Sequence, residues 1–242
     1  MEKCELSFIA RQAIDIARAR EQHAAYEVCL WELGVRVISL PAEAEYPDAV
    51  FVEDPAIVLD EIAVMTRTGA ESRRGEAVSL ARELERFRPL RWMREPATLD
   101  GGDVMRAGRT LYVGSSGRTS AAGIEQLAAE VAQFGYAVQG IEVRECLHLK
   151  SACSYLGDGM VLAYRPWVSA DFDGLRVIEA PDAEAVNVLR IGDTVLVAEG
   201  FPRTMETIAG LGLRVRALDN SELRKAEGAL TCCSLLFKTT TD

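Results

Sequence analysis

Thr231-Cys232-Cys233-Ser234 sets two thiols side by side near the C-terminus. A thiolate is a strong nucleophile where it is accessible and lies beside a base or a positive charge. On a strand, adjacent side chains point to opposite faces, so one thiol can be buried while the other faces a pocket. Structural packing of both is the alternative. Leu147-His148-Leu149-Lys150-Ser151 carries one of only two histidines. If an imidazole moves protons here, it is His148 or His23. His23 lies among Glu21, Gln22 and Tyr26, which suits a surface or interface position. So few histidines exclude most multi-histidine metal sites.

Acidic residues surround these groups in sequence motifs of their own. In Thr98-Leu99-Asp100-Gly101-Gly102-Asp103-Val104 the glycine pair lets the backbone approach another group closely. Asp100 then either orients a histidine, binds a cation, or simply turns the chain into a strand. Alternation over residues 47–54 puts Asp48, Val50, Val52 and Asp54 on one face of an apolar strand. Buried there, the two carboxylates need a cation, either an Arg or Lys of the protein or a cationic substrate. Arg73 and Arg118 stand in loops after strands. Arginine suits bidentate recognition of a carboxylate, although a solvated loop arginine looks the same in sequence.

The elements that must position these residues form a weak internal repeat. Leu33-Gly34-Val35, Phe134-Gly135-Tyr136 and Leu211-Gly212-Leu213 each end a helical stretch in glycine and lead into alternating residues. Glycine ends a helix cheaply in the left-handed conformation. Gly108-Arg109-Thr110 and Gly192-Asp193-Thr194 each open an apolar strand that runs to an Arg-Thr pair and a helix. The unit reads strand, turn, strand, helix, strand, with copies at 48–91, 98–144, 147–179 and 186–219. A strand pair at 222–238 and a helix and strand at 12–40 supply a fifth. The expectation is one α/β domain over 1–242, built as a five-bladed ring of ββαβ-type units. Apolar stripes mark the core faces of three helices. They are Ile14, Ala17, Ala24, Val28 and Trp31; Ala77, Leu80, Ala81 and Leu84; and Ile124, Leu127, Ala128, Val131 and Phe134.

Composition narrows the partners. The 242 residues carry 27 Lys+Arg against 37 Asp+Glu, a net charge of −10. Such a chain lacks the electrostatic footprint of a nucleic-acid or anionic-membrane binder and favours cationic partners. No apolar run approaches the length of a membrane span. The N-terminus lacks the pattern of a secretion signal, so the six cysteines are expected free, in the cytoplasm.

The segments at 51–54, 72–74, 98–104, 108–119, 146–154 and 221–234, taken in order, resemble the dimethylarginine dimethylaminohydrolase family of the guanidine-modifying superfamily. The resemblance covers nearly the whole chain and implies a five-bladed α/β propeller. It implies Cys232 as nucleophile, His148 as general acid and base, and Asp100 as the acid supporting that histidine. Asp48 and Asp54, with Glu53 beside them, would bind the guanidinium. Arg73 and Arg118 would bind the substrate carboxylate, and the Ala226 carbonyl its α-amino group. No metal or organic cofactor is implied. Arginine or another guanidine is the alternative substrate, by hydrolysis or amidine transfer. A non-catalytic module binding zinc through Cys232, Cys233 and His148 is a third reading. Two departures stand out. The first strand and covering loop of the family look shortened, and an unpaired sheet edge there makes a homodimer an expectation. Glu227-Gly228 replaces the usual Asp-Gly before the cysteine.

Overall fold

A computed structural model describes Met1 and residues 3–239. Helix α1 spans Ile16–Glu32. Strands β1 (Ala56–Val58) and β2 (Ala63–Met65) precede helix α2 (Glu76–Leu84), and β3 (Leu90–Trp92) closes the first sheet. The second sheet has β4 (Val104–Ala107), β5 (Thr110–Ser115) and, after α3 (Ala121–Ala132), β6 (Ala137–Glu142). After α4 (Leu149–Ala152) come β7 (Cys153–Gly157), β8 (Met160–Ala163) and β9 (Arg176–Glu179). The fourth sheet has β10 (Leu189–Ile191), β11 (Thr194–Ala198) and, after α5 (Pro202–Ala209), β12 (Arg214–Leu218); α6 (Ser221–Arg224) follows.

The four sheets share one topology. The first two strands of each are antiparallel, and the third joins the middle strand in parallel. A parallel neighbour needs a crossover, and in three sheets a helix supplies it. Gly34, Gly135 and Gly212 take positive φ of 84°, 75° and 82°, the left-handed conformation anticipated at those helix ends. The middle strands carry the core, with β2 and β11 buried along their whole length. Val64, Leu99, Val113 and Leu127 pack together between the first two sheets. Tyr112, Cys153 and Val161 do so between the second and third, and Leu162, Val195 and Ile208 between the third and fourth. Each such large apolar side chain stabilises the fold by about 1.5–3 kcal/mol.

The observed elements correct several expectations. Residues 48–54 form turns rather than a strand. The third unit has no helix between β8 and β9. Residues 35–40 and 234–238 carry no ladder, so the strands expected in 12–40 and 222–238 are absent among the described residues. Alternation makes a segment competent for a sheet, but a strand exists only where a neighbour bonds its backbone. In α2 the apolar stripe is the buried face. In α1 it is not. The buried face there is Ala19, Gln22, Tyr26, Cys29 and Leu30, while Val28 is 52% and Trp31 71% exposed. Polar contacts decide the orientation: Gln22 bonds Ser221 and the Glu222 backbone, and the Tyr26 hydroxyl meets Ser234 at 2.7 Å.

Candidate active site

A small pocket collects Cys232, His148, Asp48, Asp54, Arg73, Arg118 and Ala226 in its wall. Asp100 lies just behind His148, and Glu53 does not reach the pocket surface. Local sequence explains the convergence. His148 is the N-cap residue of α4, and the Leu149 N–H bonds the Asp103 carboxylate at 2.8 Å. Asp103 is fully buried and also accepts from the hydroxyls of Ser116 (2.6 Å) and Thr119 (2.7 Å). Asp103 therefore pins the start of the histidine helix to the second sheet. Gly101 and Gly102 make the close approach that their lack of side chains permits. A Cβ on Gly102 would stand 2.6 Å from His148 Nδ1 and 2.7 Å from Asp54 Oδ1. The Gly102 N–H donates to Asp54 at 3.0 Å.

His148 is held between two acids. Its Nε2 is 3.0 Å from Asp100 Oδ2, and its Nδ1 is 3.9 Å from Asp54 Oδ1. Burial alone would lower its pKa, but the Asp54 charge, the Asp100 hydrogen bond and the Asp103 charge push it up to about 9. Burial acts on Asp54 in the opposite sense to its neighbours. The charges of His148 and Arg73, with hydrogen bonds from Arg73 and Gly102, hold it below the usual carboxylate range. At neutral pH the pair is imidazolium and carboxylate, with Nδ1 the nitrogen left for a proton transfer.

Cys232 lies in a 3-10 turn, Thr231–Cys233, rather than on a strand. The turn still separates the thiols: Cys232 reaches the pocket and Cys233 is buried. All six cysteines are free, and the other five are buried. Burial of the Cys232 thiol raises its pKa well above the ordinary range, and the Glu53 and Asp54 charges raise it further. The pocket thus sets a thiol whose charged form is disfavoured in the same wall as a charged imidazolium.

The arginines differ. Arg73 is buried and bonds Asp54 (2.6 Å), Glu76 (2.9 Å) and the Phe51 carbonyl (3.2 Å). Glu76, pushed by burial to about 7, is a partner that sequence reasoning missed. Only its i,i+3 spacing from Arg73 hinted at it. Arg118 donates to Ser7 at 3.1 Å and passes Asp100 at 3.7 Å. Asp48 is buried, faces the pocket and accepts from the Glu5 N–H at 3.0 Å. Among the described residues no cation stands within ion-pair distance of it. Burial raises its pKa, and Arg73 offsets part of that.

Two more features complete the rim. Glu5 and Glu227 line it, and Glu227 accepts from three successive N–H groups of the stretch after Glu5, those of Ser7 (2.8 Å), Phe8 (2.5 Å) and Ile9 (2.9 Å). The convergent metal-type donors among the described residues are Asp54, Asp100 and His148. The set expected for zinc, Cys232 and Cys233 with His148, is not brought together. His23 lies on α1, 3.8 Å from Glu27. No helix among the described residues is long and apolar enough to cross a membrane.

Comparison with known proteins places this geometry. The model of a family described as N,N dimethylarginine dimethylhydrolase, eukaryotic, matches residues 5–193. An N(G),N(G)-dimethylarginine dimethylaminohydrolase of Pseudomonas aeruginosa is 39% identical over 228 residues, covering 92% of this chain and 90% of that protein. One from Streptomyces coelicolor is 37% identical over 235 residues, covering 96% and 91%. A solved structure of the Pseudomonas enzyme, a cysteine-to-serine variant with citrulline, gives a TM-score of 0.92 at 37% identity, covering 96% of this chain and 93% of that one. An amidinotransferase of Microseira wollei shares the fold at 18% identity, with a TM-score of 0.80.

Proposed function

Since the chain belongs to the dimethylarginine dimethylaminohydrolase family, we propose that it hydrolyses asymmetric dimethylarginine or monomethylarginine to citrulline and a methylamine. One observation carries the substrate reading: Asp48, a buried carboxylate facing the pocket, has no cation of the protein in ion-pair range among the described residues. A guanidinium supplies that cation.

The residues act as follows. Asp48 and Asp54 fix the guanidinium plane and localise its charge, with Glu53 behind them. The arriving cation favours ionisation of Cys232, whose thiolate attacks the central carbon. His148 gives its Nδ1 proton to the leaving amine, and the tetrahedral species collapses to an S-alkylthiouronium. The imidazole then takes a proton from water, the oxygen adds to the same carbon, and the thiolate departs as the remaining hydroxyl proton is lost to solvent, leaving a ureido group. Asp100 keeps the imidazole oriented throughout. Arg118, with Arg73 behind Asp54, meets the α-carboxylate, and the Ala226 carbonyl meets the α-amino group.

The finer architecture belongs to the same proposal. The chain is one domain over 1–242, of which residue 2 and 240–242 lie outside the described residues. It is a five-bladed ring with α1 and the C-terminal segment as the fifth blade. Two further core clusters support closure: Tyr26 and Leu30 pack with Leu196, and Phe237 packs against Met65 and Leu80. A cytoplasmic location suits the free cysteines. A homodimer through the outer face of α1 suits the exposed Val28 and Trp31.

The test is one activity screen with asymmetric dimethylarginine, monomethylarginine, arginine and agmatine, reading ureido product and released amine. Citrulline from the methylated arginines is expected, and inertness on all four sinks the reading. Agmatine lacks the carboxylate, so turnover equal to methylarginine overturns the arginine roles. Arg118→Ala is expected to raise KM about 10- to 100-fold, the loss of a charge-assisted contact, with a smaller change in kcat. Gly102→Ala is expected to lower kcat about 100-fold by displacing His148 and Asp54. A kcat within threefold of the parent shows that this close approach is dispensable.

A further inference from the structure

The His148 helix and the Cys232 turn come from distant parts of the chain, and a buried polar chain laces them together. Asn187 is 7% exposed and uses its whole amide. Its Nδ2 donates to the Lys150 carbonyl and to Thr231 Oγ1, each at 2.9 Å, and its Oδ1 accepts from the Thr231 N–H at 3.1 Å. The Thr231 hydroxyl, having accepted from Asn187, donates to Glu53 Oε2 at 2.9 Å. Glu53 pairs through its other oxygen with the Lys150 ammonium, and its own N–H bonds the Cys232 carbonyl at 3.2 Å. Asn187 is itself anchored, because the next residue, Val188, donates to Ser154 on β7 at 3.0 Å.

We infer that Asn187 and Thr231 are positioning residues for the reaction proposed above, holding the Cys232 thiol in register with the His148 imidazole. None of Asn187, Thr231, Lys150 or Glu53 lines the pocket, so their influence passes through the two reacting side chains. The chemistry fixes the residue types. The amide must donate on one side and accept on the other, which aspartate at position 187 cannot do. The hydroxyl must accept and donate at once, so threonine or serine fits and valine does not. The chain also has one direction, amide to hydroxyl to carboxylate, which leaves a single arrangement of the turn. A displacement of about 1 Å between nucleophile and proton carrier costs about 100-fold in rate.

The inference rests on Cys232 and His148 being the reacting pair, and its test separates the two claims. Asn187→Leu, Thr231→Val and Thr231→Ser are compared with the parent after circular dichroism confirms folding. For Asn187→Leu and Thr231→Val the expected result is a kcat about 100-fold lower with KM within threefold. Thr231→Ser is expected to retain kcat within threefold. The pH profile of Cys232 alkylation by iodoacetamide needs no substrate. Its midpoint is expected to move by about half a unit or more in Thr231→Val and to stay in Thr231→Ser. If Asn187→Leu does not fold, the threonine pair decides. Parent-like kcat in Thr231→Val, or equal impairment in Thr231→Ser, overturns the inference. A parent protein inert on every guanidine, with the alkylation contrast intact, overturns the function and leaves the positioning role standing.

Discussion

Cys232→Ser is expected to lower kcat by at least about 10⁴-fold while substrate binding survives. The reason lies in the protonation state of the pair. A serine nucleophile needs a neighbouring base, yet His148 is held as imidazolium up to about pH 9 by Asp54, Asp100 and Asp103. It offers a proton rather than accepting one. A cysteine escapes this limit, because the bound guanidinium can draw its proton to solvent by stabilising the thiolate. The hydroxyl of serine ionises far too weakly for the same charge to suffice. Cys233→Ser is the contrasting variant: its sulfur contacts the Ala229 carbonyl at 3.7 Å inside the core. It is expected to lose a little stability and keep kcat within threefold. Steady-state kinetics with isothermal titration of the substrate measures both. A Cys232→Ser protein retaining more than about a hundredth of parental kcat contradicts the assignment.

The second large effect is at His148. Removing the imidazole in His148→Ala is expected to cost about 10²–10⁴ in kcat if it carries the proton as proposed. Its titration is also legible directly, because the chain has only one other histidine, His23. In the parent, the His148 imidazole is expected to titrate near 9 by NMR, and kcat/KM to fall as the pH rises through that value. The sign of a perturbation follows from charge. Asp54→Asn deletes a negative neighbour, so the imidazolium is less favoured and the midpoint moves down. Asp100→Asn acts in the same direction by weakening the hydrogen bond to Nε2. A midpoint unmoved in Asp54→Asn shows that the carboxylate does not hold the proton on the ring.

Much of the site was legible because its residue types are scarce or oddly spaced. Two histidines left little choice of proton carrier. The Gly101-Gly102 pair announces a close approach, which Gly102 makes against His148 and Asp54 and Gly101 against the Glu53 backbone. Asp48 and Asp54 meet in one pocket not through a shared strand face, as alternation suggests, but because turns bring them together. The left-handed helix ends at Gly34, Gly135 and Gly212 were readable because the requirement is local.

What escaped depends on contacts across the chain. The apolar stripe of α1 pointed outward because Gln22 and Tyr26 are bound by residues two hundred positions away. Arg73 could be placed near the site, but its pairing with both Asp54 and Glu76 is a tertiary fact. Asn187 carries no local signal at all, since its partners come from α4 and from the Cys232 turn.

The grip of Glu227 on residues 7–9 has a consequence for how this protein can vary. Glu227 takes a φ of 56°, uncommon for a residue with a side chain, and from there its carboxylate meets only main-chain N–H groups. Every amino acid except proline offers that group. Glu227 therefore fastens this stretch without reading its side chains: Ser7 is tied separately through its hydroxyl to Arg118, while the exposed Phe8 and Ile9 are free to change. The fastening is indifferent to such change, so substitutions at Phe8 and Ile9 leave the hold of Glu227 intact.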